Sequence, residues 1–133
     1  MSLDSSMKIL CVDDCSSSLA PLRLFLIWEG FQVTVTTSPV EALALLASAG
    51  PYRVILSDFQ MPQMDGVSFL QEAGRVCPDA VRILMSGNID QSPIQQAFAD
   101  GVCVRLLAKP WQTDELSSLL RELVPELGGK NKA

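Results

Sequence analysis

Asp13, Asp14, Asp58, Ser86 and Lys109 each follow a short apolar run, and together they offer three carboxylates, a hydroxyl and an ammonium. Three carboxylates gathered in one crevice repel and raise one another's pKa unless a cation neutralises them, so a divalent ion is expected with them. Magnesium suits such a set because it takes oxygen ligands, keeps several waters and is normally bound by one or two carboxylates plus phosphate oxygens. Asp13 and Asp58 are the expected direct ligands, Asp14 binds directly or through a water, and the backbone carbonyl of Gln60 completes the protein's share. A carboxylate can also attack phosphorus to give an acyl phosphate, a step in which the protein contributes mainly alignment and charge neutralisation. Asp58 is the candidate nucleophile, with the Lys109 ammonium and the Ser86 hydroxyl on the phosphoryl oxygens away from the metal. Taken singly, Asp and Ser after strands are common turn formers and Lys-Pro is a loop signal. Four strand ends supplying compatible groups to one crevice are harder to explain that way.

The elements that must position these groups follow from periodicity. Lys8 to Val12 reads as a strand that stops at Asp13-Asp14, and Ser16 to Ser18 offer an N-cap to a helix with Pro21 in its first turn, ending near Gly30. Gln32 to Thr36 alternates with β-branched residues, and Ser38-Pro39-Val40-Glu41 is a capping box with proline at the first helical position. A third strand, Arg53 to Ser57, delivers Asp58, and Val67 to Val76 reads as a helix. Val81 to Met85 is a fourth strand ending in Ser86-Gly87-Asn88, followed by a helix capped by Asp90 or Ser92 with Pro93 in its first turn. Cys103 to Ala108 forms the fifth strand and leads into Lys109-Pro110. Thr113 then caps a helix in which Leu116, Leu119, Leu120, Leu123, Val124 and Leu127 keep a 3.6 period. Five strands alternating with helices imply an α/β sandwich with a parallel sheet, because parallel neighbours need crossover connections. Residues 1–7 read as a leader or appended segment and 128–133 as a tail or linker, leaving one domain over 8–127.

Composition narrows the function further. With 48% apolar and 19% charged residues the chain is globular, and 133 residues bury a core without staples. A net charge of −5 with no Lys/Arg cluster argues against a nucleic-acid partner. The absence of histidine removes the usual general base, so hydrolase triads and zinc hydrolases lose their footing. Cys11, Cys15, Cys77 and Cys103 lack zinc-type spacing and read as reduced core thiols. No apolar run approaches the roughly 20 residues that cross a bilayer, so no membrane partner is expected and the location is read as cytoplasmic.

Over about Lys8 to Leu127 the chain resembles the response-regulator receiver domains of two-component signalling. The matching blocks, in family order, are Ile9-Leu10-Cys11-Val12-Asp13-Asp14, then Asp58-Phe59-Gln60-Met61-Pro62-Gln63-Met64-Asp65-Gly66, then Met85-Ser86-Gly87, and Ala108-Lys109-Pro110-Trp111. The resemblance implies a flavodoxin-like, three-layer fold with strand order 2-1-3-4-5. It also implies that a sensor histidine kinase or a histidine phosphotransfer protein delivers a phosphoryl group to Asp58 with Mg2+ present. The chain would catalyse only that transfer and its own dephosphorylation, and switch conformation to control an output domain or effector. Homodimerisation through the face of helix four, strand five and helix five is common among such domains. In the family an aromatic on strand five turns inward as the hydroxyl at the Ser86 position moves. Here Leu106 stands three residues before Lys109, and Val104 is not aromatic either. A haloacid-dehalogenase-type phosphatase is the rival enzyme reading, but Asp58-Phe59-Gln60 lacks the second carboxylate that would serve as acid and base. A receiver-shaped scaffold that is never phosphorylated is the rival from a binding class.

Overall fold

The computed structural model describes residues 7–130. Strands β1 (Lys8–Val12), β2 (Gln32–Thr36), β3 (Val54–Asp58), β4 (Val81–Ser86) and β5 (Arg105–Ala108) alternate with helices. These are α1 (Ser16–Glu29), α2 (Pro39–Ala49), α3 (Gly66–Val76), α4 (Ser92–Ala99), α5 (Thr113–Leu123) and the short α6 (Pro125–Lys130). All pairings are parallel and the order is β2-β1-β3-β4-β5, so the expected topology is borne out.

The strands' side-chain alternation builds two cores. Ile9, Cys11, Val54, Leu56, Ile83 and Leu107 face α1, α5 and α6, where Leu22, Leu26, Leu116, Leu120 and Leu127 meet them. Leu10, Val12, Ile55 and Leu84 face the other way, onto Ala42 and Leu46 of α2, Phe69 and Leu70 of α3, and Ile94 of α4. Because both faces are covered, β1 and β3 are apolar along most of their length rather than alternating with polar residues.

Several expected boundaries shift, each for a local reason. Asp58 is the last residue of β3 rather than the residue after it, paired with Met85, and Ser86 likewise closes β4 opposite Ala108. Strand β5 starts at Arg105, leaving Cys103 and Val104 outside it, although Val104 N–H still donates to the Arg82 carbonyl at 2.8 Å. The serines at 16–18 do not cap α1. Cys15 takes that position in extended geometry, held by the bond from its N–H to Asp13 Oδ1 at 3.0 Å. Pro21 therefore lies in the second turn, and Cys15 is exposed, unlike the buried Cys11, Cys77 and Cys103. Gln91 and Gln112, not Asp90, Ser92 or Thr113, precede α4 and α5, both without a side-chain cap bond. Ser38 caps α2 as read, accepting from the Glu41 N–H, with Pro39 at the first position. The long last helix is broken. Val124 leaves helical geometry (φ −128°, ψ 82°) before Pro125, since a residue before proline is driven out of the α region. Val124 and Leu127 nevertheless reach the same core. Residues 128–130 are helical, within α6, while 1–6 and 131–133 lie outside the described residues.

Candidate functional site

The carboxyl ends of β1, β3, β4 and β5 open at one edge of the sheet, and the acidic groups converge there. Asp13, immediately after β1, is buried, and so is Asp58 at the end of β3; Asp14 is exposed. One carboxylate oxygen from each of the three lies within 4.8 Å of the others. Lys109 reaches into the cluster from the residue after β5, its Nζ donating to Asp13 Oδ2 and to Asp58 Oδ1 at 3.0 Å each. Its own backbone N–H donates to the Ser86 carbonyl at 2.9 Å, which ties the base of the lysine to the end of β4.

Burial raises the pKa of Asp58 above the ordinary carboxylate value, the Lys109 hydrogen bond opposes this, and the charge of Asp13 adds to the rise. Burial works against the charged form of Lys109, but its hydrogen bonds to Asp13 and Asp58, with their charges, outweigh it and its pKa is raised. The lysine is thus held as an ammonium between two acids whose mutual repulsion it only partly offsets. Three carboxylates against one ammonium leave the set short of positive charge, and all ligand atoms are hard oxygens. That donor chemistry fits a divalent cation such as Mg2+, held by Asp13, Asp14 and Asp58.

The remaining sequence candidates fall into place unequally. Ser86 is buried, and its Oγ accepts from the Asn88 N–H at 3.0 Å, so the hydroxyl stabilises its own loop. Gln60 is exposed and lines an open depression with Asp14, Phe59 and Met61, on the flank of the acid cluster. Leu106 is half-buried and packs against the core to which α2, α3 and α4 contribute.

Gly66 is a contributor that the sequence reading passed over as a helix start. Its N–H donates to the Phe59 carbonyl at 2.7 Å, and a Cβ there would lie 2.3 Å from the Asp58 carbonyl oxygen. Only a residue without a side chain lets α3 begin this close to the end of β3. The signal was present in Asp65-Gly66, since Asp65 Oδ1 caps the helix through the Ser68 N–H at 2.8 Å. Asp58 is further framed by Ser57, whose Oγ donates to the Asp58 carbonyl at 2.9 Å, and by the Phe59 N–H, which donates to Met85.

Comparison with known proteins agrees with this geometry. The hydrogenase transcriptional regulatory protein HoxA of Cupriavidus necator is 37% identical over 125 residues, covering 94% of this chain and 26% of that protein. The probable chemotaxis protein CheY of Rhizobium etli is 31% identical over 123 residues, covering 90% of this chain and 94% of that one. A crystal structure titled adenylate cyclase from Rhodopirellula baltica superposes with a TM-score of 0.84 at 32% identity, over 91% of this chain and 89% of that one. The chain spans about a quarter of the HoxA proteins it matches. The family model described as "Response regulator receiver domain" matches residues 9–121, and the chain belongs to that family, the receiver domains of two-component response regulators.

Proposed function

We propose that this receiver is a phosphorylation switch in which Asp58 accepts a phosphoryl group from the phosphohistidine of a sensor histidine kinase or a phosphotransfer protein. The observation that carries the reading is the double contact of Lys109 with Asp13 and Asp58 inside a cluster of three carboxylates. The Asp58 oxygen attacks phosphorus, the bond from phosphorus to the donor nitrogen breaks, and the electron pair leaves with the imidazole. Lys109 already donates to the attacking carboxylate, so it is placed to follow the charge onto a phosphoryl oxygen. Mg2+, held by Asp13, Asp14, Asp58 and the Gln60 carbonyl, supplies charge neutralisation to the phosphoryl oxygens when bound. The Ser86 hydroxyl gives up its bond with Asn88 to donate to the phosphoryl group, and the β4–α4 loop moves with it. Through Leu106 that movement reaches the face of α4, β5 and α5, where an output domain, an effector or a second copy is contacted.

Incubation with acetyl phosphate and Mg2+ tests this by intact mass. The parent is expected to gain one base-labile phosphoryl group and Asp58→Asn none. Equal gain in both would place the acceptor elsewhere, and no gain in either would favour a scaffold that is never phosphorylated.

A further inference from the structure

With Asp58 as phosphoacceptor, on which the following rests, we propose that Trp111 is a positioning residue for Lys109. Its ring, seated against Phe25 of α1, fixes the backbone end of the lysine so that the ammonium stays within reach of Asp58.

The lysine is bonded at its two ends, and one flank of its stem borders open space. A cavity of about 360 Å3 lies beside it, walled by Pro21, Leu22, Met85 and Trp111 and bounded by Asp13 and Lys109. Packing on that flank therefore does little to fix the aliphatic stem. The ammonium end is held by Asp13 and Asp58. Those bonds must rearrange once a phosphoryl group occupies Asp58, and the constraint that persists is at the backbone end. There, the Lys109 N–H is bonded to the Ser86 carbonyl, and two residues later the Trp111 side chain packs into the core formed by α1 and α5. Its ring lies 5.4 Å from that of Phe25, tilted by 41°, an attractive aromatic arrangement. Helix α1 begins just beyond Asp13, whose Oδ1 accepts from the Cys15 N–H. The aromatic pair thus ties the lysine's segment to the helix that follows the other end of its salt bridge. A tryptophan that only fills space would support the fold without favouring the lysine.

The two roles separate in a cycle of variants, with phosphorylation by acetyl phosphate at saturating Mg2+ followed by intact mass. Trp111→Ala is expected to slow phosphorylation about tenfold, and Trp111→Phe, which keeps a ring on Phe25, to stay within about twofold of the parent. In a Lys109→Ala background, the same Trp111→Ala change should alter the residual rate by less than about twofold, because the group it positions is gone. Mg2+ affinity, by calorimetry, should not weaken in Trp111→Ala, since the carboxylates are not displaced. An unchanged rate in Trp111→Ala, an equal slowing in the Lys109→Ala background, or a weakened Mg2+ site would each overturn the proposal. If Trp111→Ala does not fold, Phe25→Leu carries the same comparison from the other ring, with slowing expected only where Lys109 is present. Failure of the parent itself to gain a phosphoryl group would instead remove the phosphoacceptor reading, and this proposal with it.

Discussion

Asp58 is held under opposing influences, and its protonation is the place to read them. Burial and the charge of Asp13 raise its pKa more than Lys109 lowers it. In the unfolded chain the carboxyl titrates near 3.8, and in the native protein at a higher pH. Below the unfolded value it is neutral in both states. As pH rises through the native value the fold must hold an ionised carboxylate, and stability is lost. Asp58→Asn in Mg2+-free buffer is therefore expected to melt about 3 °C above the parent at neutral pH, the difference closing as pH falls toward the unfolded value. Melting curves of the two proteins across that range check it, and a lower melting temperature for the variant at neutral pH would contradict it. The convergence of Asp13, Asp14 and Asp58 was legible in the sequence because a parallel sheet brings strand ends together whatever the loops do. The bridge from Lys109 to Asp13 and Asp58 was not, because it joins residues 96 and 51 positions apart and depends on how the β5–α5 connection folds. The exposure of Cys15 was hidden for a similar reason: a thiol next to an apolar run looks like core until Asp13 is seen to hold its backbone outward.

Among the elements, the junction of β3 and α3 has the least room. A methyl group on Gly66 would lie 2.3 Å from the Asp58 carbonyl oxygen, 2.8 Å from Leu84 Cδ1 and 2.9 Å from Phe59 Cα. Two of these are backbone atoms of the site itself, so relief must come from moving α3 or the end of β3. Gly66→Ala is expected to cost about 2–3 kcal/mol in urea unfolding, and to slow phosphorylation of Asp58 in the fraction that remains folded. Stability within about 0.5 kcal/mol of the parent would mean that the junction yields freely. The start of α2, behind its Ser38 cap, could be placed from sequence to the residue. Helices entered through backbone geometry alone, α1 behind Cys15, α4 behind Gln91 and α5 behind Gln112, could not. The leucine period across α5 and α6 was read correctly as one buried stripe, but a stripe survives a break. Pro125 decides where the helix stops, and the period is blind to it.

Across the whole molecule, alternation and crossover logic gave the class of fold, while the strand order came through the resemblance. The reason is physical: apolar runs show that a strand is covered on both faces, not which helices cover which face. Leu24 and Trp28, 65% and 83% exposed on α1, were likewise indistinguishable from core in a list of residues. At the charged edge of the sheet Lys109 meets two of the three acids directly and offsets part of their mutual repulsion. Lys109→Met, with the acids unopposed, should melt lower and regain more stability from added Mg2+ than the parent does. Equal Mg2+ dependence in the two proteins would show that the lysine contributes nothing to charge balance. The lysine makes the site a partial internal salt, one ammonium against three acids. On the proposed reading a divalent cation would add to the ammonium and share Asp13 and Asp58 with it, so the strength of metal binding and the reach of the ammonium would become a single adjustable quantity.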